Sequence, residues 1–511
     1  MTRSKTAPAL IAALALAGTP ALAQDGAQLL ADACGSCHEA TEAGLSRIAG
    51  QRKTPEGWLM TIVRMRLVHD VVVSPDDQAA LVAYLSETQG LAPSEAAPWR
   101  YALEKDPAHV EVVEEPMASM CARCHTAARV GLQRRTTEEW DLHMDFHVGQ
   151  FPTVEYQALG RDREWYKIAK TEMVPLLSDA YPLETEEWTA WQAAEKQAPG
   201  GDWVVLTDLP GKGRAFGRIT VAGDASPFAL SGTLWLEDGS EMPVAGQMNL
   251  YTGYEWRANL SIDGEAFRQV VALSEDGDTF EGRQFLRDRD SLGGTISGAR
   301  DGAGPAILGT VPEALMARSG DVLIVGTGLE GIGAEGGELV VHGATPVGLA
   351  TSLLTETDGA VALTAGDARS EIVVSEAFDR ITVEPSFAIA RVGGDSPVGP
   401  DAVPIAFKAI GWANGPDGQP GTEDDLRLGV VPTEWSVTDH NEVAAAMRDA
   451  EFAGSLGEDG IFMPAAAGPN PARPFSTNNA GDLKIVANSG GLSAEAQLIV
   501  TVQRFIDPPI R

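Results

Sequence analysis

Apolar residues recur at helical spacing along the first part of the chain and at alternating spacing along the rest. In "DGAQLLADACGSCHEA" (25–40) the apolar positions fit one face of a helix. "SPDDQAALVAYLSET" (74–88) predicts a helix capped by Ser74, opened by Pro75 and striped by Leu81, Val82, Tyr84 and Leu85. "REWYKIAKTEMVPLLSDA" and "ETEEWTAWQAAEKQ" continue that period to about residue 197, where "APGGD" (198–202) breaks it. Beyond the break, short alternating runs separated by glycine predict strands and tight turns, with Asp238-Gly239 as one hairpin turn.

The pattern divides the chain into an α-helical region over 24–200 and all-β units after it. An antiparallel β-barrel is expected over 201–303 and immunoglobulin-like β-sandwich domains over 304–392 and 393–511, with "GGDSPVGPDAVP" (393–404) as the linker. The Gly-rich "GTGLEGIGAEGG" (326–337) has no helix behind it and reads as hairpin turns rather than a nucleotide loop. A chain of 511 residues is too long for one core, which agrees with several domains.

Composition changes the picture in two ways. With 38 Lys+Arg against 72 Asp+Glu the net charge is −34, which disfavours nucleic acid and anionic membranes as partners. At the N-terminus Arg3 and Lys5 precede an apolar run ending in Ala21-Leu22-Ala23, the layout of a cleaved export signal over 1–23. No later stretch is apolar and long enough to span a bilayer, so a soluble exported protein is expected.

All four cysteines lie in two Cys-x-x-Cys-His pentapeptides, Cys34/Cys37/His38 and Cys121/Cys124/His125. That spacing is the attachment signal for haem c: two thiols reach the vinyl groups of one porphyrin and the next His lies under its iron. A redox disulfide or half a zinc site would not require the His. Two covalently bound haem c groups are therefore expected. A sixth ligand follows from an internal repeat. "TPEGWLMTIVRMRLVHD" and "TTEEWDLHMDFHVGQFP" align Trp58 with Trp140, and seven residues beyond each stand Met65 and His147. Rivals remain for the first iron in Met60 and His69, and for the second in Met117, His143 and Met144.

These motifs, with "FHVGQFPTVEYQALGRDREW" (146–165), the "YTGYEWR" strand (251–257) and the order of β-domains, make the chain resemble the α subunit of quinohaemoprotein amine dehydrogenase. The resemblance runs almost end to end. It implies a periplasmic heterotrimer with a β-propeller subunit and a small subunit carrying a cysteine tryptophylquinone. The quinone deaminates a primary amine, and the α-subunit haems pass electrons to a soluble cytochrome c or blue copper protein. One Met/His haem and one bis-His haem are implied too, agreeing with Met65 and His147. The quinone cannot be in this chain, because haem attachment uses every cysteine, so no catalytic residue for the amine is expected here.

A dihaem cytochrome c peroxidase is the rival enzyme; it would need an iron open to peroxide. A surface scaffold protein with incidental haems is the third class. "NGPDGQPGTEDD" (414–425) gathers Asp417, Glu423, Asp424 and Asp425 without the full spacing of an EF-hand, so a solvated acidic turn is expected rather than a calcium site. His342 and His440 stand alone in β-type sequence, and Trp188 and Trp191 fit a helix packing face.

Overall fold

A computed structural model describes residues 26–156, 162–393 and 401–502. The export-signal stretch, residues 1–23, lies outside the described residues, as do 394–400 of the expected linker.

The N-terminal region is helical, and its main helices begin alike. Thr54, Ser74, Thr136 and Thr185 cap Pro55–His69, Pro75–Gln89, Thr137–Gln150 and Glu186–Ala193, each hydroxyl accepting from a backbone N–H three residues on. Acidic side chains in each first turn favour the positive end of the helix dipole.

Two of these helices belong to a duplicated unit. Strand Gln51–Lys53 leads through Thr54 into Pro55–His69, and strand Gln133–Arg135 leads through Thr136 into Thr137–Gln150. The strands pair antiparallel with Arg52 opposite Arg134, Gln51 opposite Arg135 and Lys53 opposite Gln133. Equivalent residues thus meet about a local two-fold axis. Trp58 and Trp140 are each 1% exposed. Their indole N–H groups donate to the carbonyls of Gln89 (2.9 Å) and Tyr181 (3.1 Å). Lys53 Nζ lies 5.0 Å from the Trp58 ring and the Arg135 guanidinium 5.4 Å from that of Trp140.

At this axis Glu95 joins both halves. Arg52 donates to its two oxygens at 2.8 and 2.9 Å, and Arg134 Nε approaches at 3.1 Å. The Ala92 N–H and the Thr185 hydroxyl complete its shell at 2.8 and 3.0 Å. Burial pushes this carboxyl up, but the Arg52 hydrogen bonds and the two guanidinium charges more than offset it and hold it below its usual value.

Eight strands from Gly201–Leu209 to Arg289–Arg300 follow as an antiparallel meander and close into a barrel, the last pairing with the first at Ile296 and Thr207. The expected Asp238-Gly239 turn joins Phe228–Leu236 to Glu241–Tyr251, with Gly239 at φ 83°. Side chains fill the interior, as an eight-stranded barrel allows. Trp203, Trp256 and Phe280 have ring centroids 5.1 to 6.1 Å apart. Leu91, Ala92, Ala96, Trp188 and Trp191 from the helical region join the same core.

"YTGYEWR" is where barrel and helices meet. Thr252 (φ 55°) and Gly253 (φ 77°) make its tight turn. Trp191 Nε1 donates to the Thr252 carbonyl at 2.9 Å, and the Thr252 hydroxyl lies 3.2 Å from the Ser86 carbonyl and 2.9 Å from Glu255. Arg257 Nε donates to Glu56 of helix Pro55–His69 at 2.5 Å and its Nη2 to Glu255 at 3.3 Å. Burial pushes the Glu255 carboxyl up to about 8, against the pull of Arg257. A carboxyl raised on folding stabilises the fold fully below its unfolded value and loses that contribution as pH rises through the folded value. Thermal stability should therefore fall between pH 4.5 and about 8, and Glu255→Gln should flatten that slope. An unchanged slope in the variant would assign the pH dependence to other groups.

The remaining chain forms two further β-sheet units. In the first, the four-stranded sheets containing Ser319–Thr327 and Ala368–Val374 share a core of Leu315, Val322, Ile324, Leu353, Val361 and Ile372. The Gly-rich 326–337 stretch runs from the end of one strand through the short strand Gly333–Glu335, with Gly328, Gly331 and Gly336 at positive φ. The domain boundary differs from the sequence expectation at 392/393. Arg380–Glu384 pairs with Lys408–Ala413, and Phe387–Arg391 runs parallel to Gln497–Thr501. Both strands therefore belong to the last unit, and the boundary falls between Val374 and Arg380.

Candidate functional site

The first Cys-x-x-Cys-His turn ends helix Gly26–Cys34, whose Leu29 shares a core with Trp58, Ile62, Leu81, Val82 and Leu85. The N–H groups of Cys37 and His38 both donate to the Cys34 carbonyl, at 3.2 and 3.0 Å, which folds the pentapeptide into one turn. His38 Nδ1 lies 2.8 Å from the Ser46 carbonyl. A carbonyl only accepts, so Nδ1 carries the proton and Nε2 keeps its lone pair. Cys34 and Cys37 are free thiols, and burial followed by the neighbouring Cys37 raises the Cys34 pKa.

The second site repeats these features with more burial. His125 Nδ1 lies 2.8 Å from the Thr126 carbonyl and so carries the proton, as in His38. Glu111 holds the turn from behind: it accepts from Tyr101 at 2.6 Å, from the Thr126 hydroxyl and from the Ala127 N–H at 3.1 Å. Cys121 and Cys124 are also free, and burial pushes the Cys121 thiol up to about 11.

The residues expected opposite each turn occupy equivalent places. Trp58, Ile62 and Met65 share one helix face, as do Trp140, Met144 and His147. Met65 is half-buried, Met60 lies off that face and His69 is exposed in the last turn. His147 Nδ1 lies 2.9 Å from the His143 carbonyl, which again leaves Nε2 with a lone pair. Its pKa is lowered, first by burial. Among its rivals, Met144 is 4% exposed in a core with Trp140 and Trp165, while Met117 borders that core. His143 stacks on Phe146 at 5.6 Å, and burial followed by Arg135 holds its pKa well below the usual value.

Four free thiols and three imidazoles whose Nδ1 is fixed by a backbone carbonyl fit haem iron and covalent attachment. The surface beyond Met65 fits a porphyrin as well, since Leu67 and Val72 are 78% and 94% exposed. Sequence reading missed Ser46 and Glu111, which fix the two turns, because each acts from outside the motif. It quoted but did not use Trp165, whose ring lies 5.6 Å from His147 and whose Nε1 donates to the Met120 carbonyl at 2.9 Å. A signal for the duplication was available: "QRKT" at 51–54 and "QRRT" at 133–136 extend the repeat upstream of both tryptophans.

The acidic loop is occupied with its own backbone. Asp417 accepts from the Gln419 N–H at 2.7 Å, Asp424 from the Thr422 hydroxyl at 2.7 Å, and Asp425 pairs with Arg380. His342 lies 2.6 Å from the Ser352 hydroxyl on neighbouring strands, and the His440 N–H donates to Asp482.

Three family models match the chain. The haem-binding region of the quinohemoprotein amine dehydrogenase alpha subunit matches residues 24–188, its domain II 196–301 and its domain IV 381–510. No curated protein matches. Among solved structures, the redesigned β-barrel mFAP1 bound to DFHBI is 14% identical, covering 19% of this chain and 90% of its own, with a TM-score of 0.17. The human desmocollin-1 ectodomain is 10% identical, covering 58% and 74%, with a TM-score of 0.15. Drosophila OTK extracellular domains 3–5 are 8% identical, covering 51% and 91%, with a TM-score of 0.15. The haem-binding match spans both Cys-x-x-Cys-His turns, the other two cover the barrel and the last β-unit, and the chain belongs to the family of quinohemoprotein amine dehydrogenase alpha subunits.

Proposed function

We propose that this chain is the dihaem electron-transfer subunit of a periplasmic amine dehydrogenase. Cys34 and Cys37 attach one haem c, and Cys121 and Cys124 the other. His38 and Met65 ligate the first iron, and His125 and His147 the second. Bound haem iron supplies one-electron transfer. The chain's own residues hold the ligands: Ser46, Thr126 and His143 carbonyls fix three imidazoles, and the paired strands at Arg52 and Arg134 hold the two helices side by side. The observation that carries this reading is that both turns and both helices repeat about one axis while their seventh residue after tryptophan differs, Met in one and His in the other.

A thioether stabilises reduced iron and a second imidazole does so less, so the two sites would differ in potential and give electron flow a direction. With both irons six-coordinate, peroxide would find no open position, which disfavours the peroxidase alternative. The amine would be oxidised by a cysteine tryptophylquinone on a small partner subunit, beside a β-propeller subunit. A soluble cytochrome c or blue copper protein would take the electrons. The two C-terminal units are assigned as immunoglobulin-like domains that offer docking surface to those subunits.

The test is to purify the exported complex, count covalent haems per alpha chain and compare Met65→Ala with wild type. Two haems are expected, and the variant should lose the methionine–iron absorption band while keeping both. A surviving band would move the ligand to Met60 or another methionine. Peroxide turnover with a five-coordinate spectrum would favour the peroxidase class.

A further inference from the structure

The chain as a whole is acidic, yet between the two sites it buries cations in excess. Lys53 and Arg135 are 6% exposed, Arg64 is half-buried on helix Pro55–His69, and Arg47 reaches the same place from the first turn's loop. One carboxylate, Glu139, faces them. Arg47 Nε donates to it at 2.6 Å, Gln51 at 3.1 Å, and Arg135 lies 3.8 Å away. Lys53 donates to the Thr61 hydroxyl at 2.8 Å, and Arg64 covers the Phe146 ring at 4.6 Å. Among the described residues neither has a carboxylate within 4 Å. Burial lowers the pKa of Lys53 and Arg64, and repulsion from neighbouring cations lowers both further: Arg135 and Arg64 act on Lys53, and Arg129 acts on Arg64. Burial likewise pushes Arg135 down to about 9.

A buried cation without a counter-charge is strongly unfavourable, so such a cluster implies an anion that belongs there. Its position names the anion. Arg64 immediately precedes Met65, and Phe146 immediately precedes His147. The Phe146 ring that Arg64 covers lies 5.6 Å from His143 and 6.1 Å from His147, centroid to centroid. The anion therefore lies beside the second iron's ligand, where a porphyrin edge carries its carboxylates. A partner subunit would have to reach the buried side chains of Lys53 and Arg135.

We propose that Lys53, Arg64 and Arg135 form a carboxylate-binding cluster that receives a propionate of the second haem. This rests on Cys121, Cys124 and His125 being a haem attachment site. The cluster neutralises the propionate between the two haems, and its charge favours the reduced state of the second iron. Removing one cation shifts that iron toward the oxidised form.

The experiment uses the full complex, with haem labelled at its propionate carboxyl carbons by growth on 13C-carboxyl aminolaevulinate. Each haem's midpoint is titrated spectroscopically, and redox-difference infrared spectra report the labelled carboxylates. Arg64→Gln should keep two covalent haems and shift one reduction equilibrium about tenfold toward the oxidised form, about 59 mV for one electron. The propionate bands should move with it, and Arg64→Lys should restore both readouts. Lys53→Met provides a second variant should Arg64→Gln fold poorly. Unchanged midpoints and bands in both variants would overturn the proposal. A shifted midpoint with unmoved bands would overturn the propionate assignment and leave only a charge acting through space. Fewer than two covalent haems in the wild type would overturn the underlying dihaem reading, and the haem count separates that failure from the others.

Discussion

Glu95→Ala is expected to destabilise the helical region by about 3–5 kcal/mol, the cost of breaking a buried ion pair from one side. Glu95 is 6% exposed, and the two arginines it holds, Arg52 and Arg134, are 3% and 7% exposed. Without the carboxylate, two like charges would face each other at the centre of the two-strand pairing with no anion between them. The Ala92 N–H and the Thr185 hydroxyl would lose their acceptor as well. The folded carboxyl lies below its usual value, so its contribution is present above pH 4.5 and is lost as the pH falls and Glu95 protonates. Denaturant unfolding of wild type and variant across that range should therefore show a large gap at neutral pH that closes in acid. A gap under 1 kcal/mol at neutral pH would mean that solvent reaches and screens the arginines.

The second large effect concerns the paired tryptophans. Trp140→Ala should cost about 3–5 kcal/mol, as truncating a fully buried tryptophan does. Trp140 anchors a core with Met120, Val130, Met144, Trp165, Met173 and Leu177. Its loss would also leave the Tyr181 carbonyl without the indole donor. Because His147 sits two turns along the same helix face, the proposed ligand set predicts that the variant loses a bis-imidazole electron paramagnetic resonance signal while keeping a methionine–iron band from the first site. Trp58→Ala should do the reverse through Ile62 and Met65. If Trp140→Ala disturbed the methionine band and spared the bis-imidazole signal, the assignment of ligands to halves would be exchanged.

Much of this was legible in the sequence because it is local. The turns of the Cys-x-x-Cys-His pentapeptides, the capping Ser and Thr residues, and the Asp-Gly turn act within a few residues of themselves. The repeat was readable from T-x-E-x-W, which aligned Met65 with His147. What the sequence hid depends on distant partners. Phe387–Arg391 joins the last unit because it lies beside Gln497–Thr501, more than a hundred residues away, and no local pattern announces that parallel pairing. The Pro and Gly content of 393–404 suggested a domain boundary there, whereas the pairing of Arg380–Glu384 and Phe387–Arg391 puts it before Arg380. Glu95 reads as an ordinary surface residue of a short helix until Arg52 and Arg134 are brought to it. "YTGYEWR" stood out as a family feature, and the structure adds its task, the seating of the barrel on the helices.

The Arg52–Arg134 pairing carries one more consequence. Equivalent residues meeting across a two-fold is the contact made by an isologous dimer, in which both subunits must present the same surface. In such a dimer any substitution appears twice, so its two metal sites would stay identical. Here both halves lie on one polypeptide, and each can drift alone. The shared strands, caps and tryptophans keep the architecture of a dimer, while position 65 is free to be Met and position 147 to be His. Covalent tethering is what permits unequal sites inside a symmetric frame.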